Sequence, residues 1–284
     1  MKTQNLLSSS LTTRWGKYKA GLKTCRREFS EEAVHDFRVA TRRMLSFLDM
    51  LRTLMQDPKI QKLRRALKNQ LDDLDDLRDA QVLLADISEA IRETPALQSF
   101  QEYLQHEEKK LLRAARKEIK SLKIVSFSKR IGKLIQKIEE LEQADLEGDL
   151  LSAIDEAFAV VNQRYALIDP KEPATIHRLR IAFKKFRYMV EVVYPILQDI
   201  PADHLKKLHD YQAAMGDIQD MEVALQKLAD FDEQSTAPHD LEPVRLYYKK
   251  RHALALSRYI EDKGELINFW RTAPDQQFPQ EKRT

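Results

Sequence analysis

Apolar residues between positions 34 and 51 recur every three or four residues, which is the spacing of one face of an α-helix. The same spacing returns between 176 and 193. No convincing run of alternating polar and apolar residues, the pattern of a half-buried strand, is found along the chain. Glycine is scarce, with 6 among 284 residues, and strong helix formers dominate. Together these features predict an all-α fold.

Prolines and small polar clusters predict where the helices begin and end. Ser30 is expected to cap the second helix, with acidic residues in the first turn behind it. Thr94 and Pro95 have the character of an N-cap and a first helical residue, and the Glu-Gly-Asp at 147–149 is expected to form a joint. The predicted helices span about 11–28, 31–56, 59–93, 95–120, 127–142, 150–168, 174–198, 202–231 and 241–262.

The two halves of the chain resemble each other in three segments. In the first match, His35 aligns with His177 and Arg38 with Arg180, while the pair at 42–43 aligns with Lys184 and Lys185. The matched segments, in chain order, are VHDFRVATRRMLSF (34–47) with IHRLRIAFKKFRYM (176–189), DLRDAQV (76–82) with DIQDMEV (217–223), and more weakly KKLLRAARK (109–117) with KKRHALALS (249–257). Because the order is the same in both halves, the sequence predicts an internal duplication.

Both copies of the first segment place basic and apolar residues on opposite faces of a helix, at about 100° per residue. The basic stripes contain His35, Arg38 and Arg42, with Arg43 beside them, in one copy, and His177, Arg180 and Lys184, with Lys185 beside them, in the other. The opposite, apolar seams contain Phe37, Thr41, Met44, Leu48 and Leu51, and Leu179, Phe183, Phe186, Val190 and Val193. One stripe alone would be interpreted as a solvated helix face, but the recurrence of the His, the spacing and the sign favours a functional site.

Two stripes related by a duplication are expected to face each other across a pseudo-two-fold axis and to line a cationic groove or pore. A ligand for such a groove must carry many negative charges, since Arg offers phosphate a bidentate fork and Lys a mobile point charge. The basic helices of the third, weaker sequence match would extend the groove through Lys110, Arg113, Lys117, Lys250 and Arg251.

The overall charge and the cysteine content set limits on the class of protein. The net charge is only +3, so anion binding must come from local clustering of cations. The single cysteine, Cys25, excludes an intramolecular disulfide and fits a reducing compartment, so a cytoplasmic location is expected. The N-terminus has no apolar stretch typical of a signal peptide, and no window is apolar enough for a membrane span.

The paired motif, H-x-x-R-[VI]-A-x-[RK]-[RK], each copy followed by D-[LI]-x-D, resembles the CHAD domain, the conserved histidine α-helical domain, over nearly the whole chain. The resemblance implies two four-helix bundles and non-catalytic binding of inorganic polyphosphate in a central basic pore. It also implies association with polyphosphate granules or with polyphosphate-metabolising enzymes. On this basis the halves are expected at 1–145 and 146–271, with a flexible tail at 272–284. The third basic segment departs from the pattern, because the halves align poorly there.

Two alternatives remain open from the residues. Asp72, Asp73 and Asp76 form a D-D-x-x-D motif, which holds Mg²⁺ against a diphosphate in all-α isoprenoid synthases. The second half lacks such a motif and keeps only Asp217 and Asp220, which align with Asp76 and Asp79. We expect these shared aspartates to neutralise nearby Arg and His instead. The other alternative is a nucleic-acid backbone, although aromatic residues do not interleave with the basic stripes as base-stacking platforms would.

The two motif histidines are poor candidates for metal ligands. Neither His35 nor His177 is followed by a His, Cys or carboxylate three or four residues later, which is a helical ligand spacing. A hydrogen bond to phosphate, or to a carboxylate that orients the ring, is the expected role, and no metal or other cofactor is expected.

Overall fold

The computed structural model describes residues 3–141, 145–197, 200–234, 240–271, 273, 275–276 and 278. In this part of the chain the structure is helical and contains no strand, which confirms the predicted all-α class. The α-helices are α1 Thr3–Glu28, α2 Glu31–Leu54, α3 Pro58–Asp72, α4 Asp75–Ala90, α5 Gln98–Ser121, α6 Ile124–Glu139, α7 Leu146–Ala166, α8 Ala174–Val193, α9 His204–Gln234 and α10 Glu242–Asp262. Short 3₁₀ segments lie at Pro95–Leu97, Tyr194–Ile196 and Lys263–Asn268.

The turn between α1 and α2 fixes the start of the motif helix. Ser30 caps α2 as predicted, because its side chain accepts a hydrogen bond from the Ala33 amide at 3.2 Å. Phe29, just before it, has a φ of 50°, and its amide donates to the Cys25 carbonyl at 3.0 Å. Phe29 thus adopts the left-handed conformation that often ends a helix, and α2 returns antiparallel along α1.

The helix predicted over 59–93 is two helices in the structure. α3 ends at Asp72 and α4 begins at Asp75, inside the sequence Asp-Asp-Leu-Asp-Asp. Aspartate side chains compete for backbone hydrogen bonds in a helix interior, whereas they favour a helix N-terminus. The break places Asp75 and Asp76 in the first turn of α4.

Two smaller boundary predictions were wrong. Thr94 makes no side-chain cap, and Pro95 opens a 3₁₀ turn rather than the α-helix itself. The predicted joint at 147–149 lies in the first turn of α7, whose acidic residues suit a helix N-terminus. Residues 235–239 of the predicted connector at 233–243 and most of the predicted tail lie outside the described residues, although the Phe278 ring packs against Trp270 at 4.8 Å.

The apolar seams of the two motif helices form part of the core. Every residue assigned to either seam is buried, which confirms the helical-wheel prediction. α2 packs directly against α8, so the opposite, basic faces of the two helices lie in reach of each other.

Buried apolar residues form two clusters. The larger one contains residues from every α-helix described. The C-terminal parts of α4 and α9 and the N-terminal parts of α5 and α10 are absent from it, and we call these their outer parts. The smaller one joins those outer parts, with Phe100 of α5 near Phe231 of α9 and Tyr248 of α10. Both clusters therefore contain residues from each side of the predicted 145/146 boundary, and that division stays a prediction.

Candidate functional site

The basic faces of α2 and α8 meet a group of carboxylates from α4 and α9. We call these basic and acidic side chains together the α2–α8 charge cluster. Its members are His35, Arg38 and Arg42 of α2, Asp75, Arg78 and Asp79 of α4, Arg180 and Lys184 of α8, and Asp220 of α9. The sequence-predicted stripes are thus brought together in one place.

Arg38 is the best-satisfied cation of the cluster. Its side chain is only 5% exposed, and it donates from Nη2 to Asp75 Oδ1 at 2.6 Å and from Nη1 to the Leu71 carbonyl at 3.1 Å. Burial lowers the pKa of Arg38, and the hydrogen bond with Asp75 opposes that shift. Asp76 was expected to neutralise a nearby Arg or His, but it is the neighbouring Asp75 that accepts the hydrogen bond from Arg38.

Arg180, the counterpart of Arg38, has no such partner. The residue before Asp217 is Gly216, whereas the residue before Asp76 is Asp75. The Arg180 guanidinium lies across Gly216, with Nε and Nη2 3.7 Å from where a Cβ would stand. Its Nε is buried without a hydrogen-bond acceptor in the described structure, and burial lowers its pKa while Asp220 opposes the shift.

Lys184 lies at the centre of the cluster and is strongly perturbed. Burial, together with the charges of Arg42 and Arg180, lowers the pKa of its ammonium to about 7, and Asp75 only partly opposes this. Neither Lys184 nor half-buried Arg42 forms an ion pair within the described ranges. The cluster therefore holds positive charge that lacks direct counter-ions.

Two of the three carboxylates of the cluster, Asp79 and Asp220, are also desolvated. Burial raises the pKa of Asp79, with repulsion from Asp75 adding to the shift, and burial likewise raises the pKa of Asp220. Arg78, which attracts Asp220, was missed from the sequence, although its place between the two shared aspartates was a signal. Asp79 and Asp220 act on the nearby arginines through charge alone, since neither forms an ion pair with Arg180 or Lys184 among the described residues.

The two motif histidines differ in environment. His35 lies at the exposed edge of the cluster. Its partial burial lowers its pKa, Arg78 and other cationic neighbours add to this shift, and Asp36 opposes it. His177 is half-buried, and its Nδ1 has no hydrogen-bond partner in the described structure. No group of three or more His, Cys, Asp or Glu side chains suited to a metal ion occurs among the described residues.

The other predicted site residues lie around the cluster rather than in it. Arg43 turns toward α1 and approaches Glu191, with 3.7 Å between Nε and Oε2, and Lys185 is half-buried. Arg251 donates to Asp86 at 2.6 Å and to the Tyr247 hydroxyl at 2.7 Å, which ties α10 to α4. The remaining predicted cations are exposed on α5 and α10: Lys110, which pairs with Glu107 at 2.7 Å, and Arg113, Lys117 and Lys250.

The aspartate motif at the α3–α4 break has an ordinary structural environment. Asp72 pairs with Lys68 at 2.7 Å on the surface. The amide of Asp73 ends α3 by donating to the Asn69 carbonyl, and Asp76 is exposed.

Lys184→Met is expected to stabilise the ligand-free protein. Folding lowers the pKa of Lys184 from its ordinary value of 10.5 to about 7, so the folded state disfavours the ammonium. That cost is complete below pH 7 and disappears as the pH rises toward 10.5. We expect the unfolding midpoint at pH 6.5 to rise by about 5 °C, as roughly 2 kcal/mol would give at this chain length, and the gain to shrink at pH 10. Thermal melts followed by circular dichroism, with exposed Lys62→Met as the control, would measure it; a lower midpoint at pH 6.5 would contradict it.

Comparisons with known proteins support the sequence resemblance. The family model described as "CHAD domain" matches residues 10–229. Among solved structures, the fold is similar to that titled "Crystal structure of the CHAD domain from the plant Ricinus communis", with a TM-score of 0.68 and 18% identity over 97% of this chain and 93% of that chain. At that identity the likeness shows the fold alone. No curated protein matches the sequence. In the described part of the chain, no helix is both long and apolar enough to cross a membrane.

Proposed function

The chain belongs to the CHAD domain family, and from this premise we propose that it binds inorganic polyphosphate without catalysis, with the α2–α8 charge cluster at the centre of the site. The observation that carries this proposal is that Arg42, Arg180 and Lys184 lie close together and form no direct ion pair among the described residues. Helix packing holds these side chains together despite their repulsion. A polyanion would relieve that repulsion, so folding prepares the site for binding.

A linear polyphosphate fits the cluster better than a single small anion. Arg42, Arg180 and Lys184 carry up to three positive charges, whereas one phosphate group carries at most two negative charges, so more than one phosphate group is needed to neutralise them together. Arginine and lysine recognise phosphate by charge and hydrogen bonding. Recognition should therefore depend on charge density and chain length.

A nucleic-acid backbone is the second candidate ligand, because it too presents a row of phosphates. Sequence-tolerant binding to single strands combines such contacts with aromatic stacking. The aromatics nearest the motif, Phe37, Phe183 and Phe186, are fully buried in the seams and cannot stack on bases. Competition between long polyphosphate and single-stranded DNA for the protein distinguishes the two, and we expect polyphosphate to win.

The cellular setting follows from the proposed ligand. We propose a cytoplasmic protein that associates with polyphosphate granules or with polyphosphate-metabolising enzymes. An isoprenoid synthase would need Asp72 and its neighbours to hold Mg²⁺, whereas Asp72 is paired with Lys68. Turnover of prenyl diphosphates with Mg²⁺ would contradict the non-catalytic proposal.

Affinity should rise steeply with polyphosphate chain length. We expect chains of many phosphates to bind at least about 100-fold tighter than orthophosphate or ATP, since each neutralised phosphate releases counter-ions. For about four contacts, binding should weaken roughly 50-fold between 50 and 200 mM salt. Titration calorimetry at several salt concentrations measures both effects. Equal affinity for ATP and the long chain would rule out the proposed mode of binding.

A further inference from the structure

A second group of cations lies on the other side of α2, at the interface with α1. A partly open cavity of about 360 Å³ lies along the groove between these antiparallel helices. Its lining comprises Arg14, Lys17, Ala20, Gly21 and Thr24 of α1 and Ala33, Asp36, Val39, Ala40 and Arg43 of α2. Adjacent residues on a helix point in directions about 100° apart, so Arg43 faces this cavity while Arg42 faces the charge cluster.

The cationic end of the cavity is undercompensated. Arg14, Arg43 and Arg187 share the carboxylate of Glu191. Arg187 takes Oε1 at 2.7 Å, whereas Arg43 Nε is 3.7 Å from Oε2. The Nε atoms of Arg14 and Arg43 are both buried, and neither has a hydrogen-bond acceptor among the residues the structure describes.

Arg14 is held in place by a further contact. The Arg14 guanidinium stacks over the Phe47 ring at 5.3 Å, and burial lowers its pKa. Lys17, one turn along α1, adds a third, exposed cation. Two arginine forks and a lysine with one shared carboxylate resemble the donor sets that bind a phosphate dianion.

The rest of the cavity has a different character. Small residues form its middle, and α1 approaches α2 closely there: a Cβ on Gly21 would stand 3.3 Å from the Phe37 Cα. The Asp36 carboxylate and the Thr24 hydroxyl lie toward the far end. Asp36 and Arg43 are seven residues apart on α2, so about 10 Å of helix separates an anionic end from the cationic one.

We propose that this cavity binds a small hydroxylated phosphate monoester, such as a sugar phosphate. The phosphate lies between Arg14 and Arg43, the carbon body fills the middle lined by small residues, and a hydroxyl donates to Asp36. The volume lies within the range of small-molecule sites. This site is separate from the proposed polyphosphate site and does not depend on it.

The test uses glucose 6-phosphate as the probe, with orthophosphate and glucose as partial ligands, in titration calorimetry of the full chain. We expect glucose 6-phosphate to bind at least about tenfold tighter than orthophosphate, because the body adds contacts, and glucose not to bind. Equal binding of orthophosphate and glucose 6-phosphate would overturn the assignment of a monoester.

Variants locate the site. Arg14→Gln with Arg43→Gln removes two charged donors and should weaken glucose 6-phosphate binding by about 100-fold. Ala40→Leu fills the cavity without changing any charge and should also abolish binding. Lys23→Gln with Lys62→Gln removes two positive charges at exposed positions outside the cavity lining, so it is the matched control and should bind normally. Unchanged binding by Ala40→Leu, with folding verified by circular dichroism, would overturn the location.

The two sites can be separated by one further protein. Arg180→Glu with Lys184→Glu alters only the charge cluster and should keep its affinity for glucose 6-phosphate. If that variant loses glucose 6-phosphate while Arg14→Gln with Arg43→Gln retains it, the ligand lies in the cluster and the cavity proposal is wrong. Failure of polyphosphate to bind the wild type would leave this result unaffected.

Discussion

Polyphosphate binding is expected to disappear when Arg180 and Lys184 are both changed to glutamate. These central cations of the α2–α8 charge cluster have no direct ion-pair partner among the described residues, so their charge can be neutralised by phosphate. Each substitution removes a favourable contact and adds a repulsive one. We expect the affinity for long-chain polyphosphate at moderate salt to fall more than about 100-fold, measured by calorimetry or fluorescence polarisation.

The control must separate local contacts from net charge. Lys23→Glu with Lys62→Glu makes the same four-unit change in charge at exposed positions outside the cluster, and should reduce affinity only slightly. Arg180→Gln with Lys184→Met, which adds no negative charge beside Asp220, guards against misfolding and should show an intermediate loss. Wild-type affinity in that neutral variant, with native circular dichroism, would move the site elsewhere. Lys110→Glu with Lys250→Glu then reports whether the site extends over α5 and α10.

The helical period was sufficient to predict the two stripes and the two seams. Every predicted seam residue is buried, and the stripes of α2 and α8 meet. The period gives the direction of a side chain, but it does not give its environment. It could not distinguish Arg38, which is buried and bonded to Asp75, from Arg180, which lies over Gly216. That difference can be found by comparing the two matched sequence segments only once the partner of Arg38 is known.

The sequence also could not predict which distant segments contact each other. Nothing in the spacing of α4, α5, α9 and α10 shows that their outer parts share a cluster, because periodicity reports only which face of each helix is apolar. The orientation of Arg43 toward the cavity similarly depends on contact with α1, whose apolar periodicity is weaker than that of α2. The break at Asp73 was missed because apolar residues continue in phase across it, while the aspartates decide the local backbone.

Polyphosphate affinity is expected to fall as the pH rises above 7, and Lys184 should cause most of the change. In the ligand-free protein, burial and the charges of Arg42 and Arg180 lower its pKa to about 7. Bound phosphate favours the ammonium and raises that pKa, so binding above pH 7 requires the uptake of a proton. One proton taken up per binding event weakens affinity by about 50-fold between pH 7 and pH 9, provided that the bound pKa exceeds 9.

Two variants assign this dependence. Lys184→Met should bind more weakly at pH 7 and show a nearly flat profile to pH 9, whereas Lys184→Arg, which stays charged, should be flat at high affinity. His35 contributes only at lower pH, because its pKa is already depressed below 6.5 by burial and by Arg78. Long chains should be used, so that their two titrating ends matter little. If Lys184→Met kept the wild-type slope, another group would be taking up the proton, and the central place given to Lys184 in the site would be wrong.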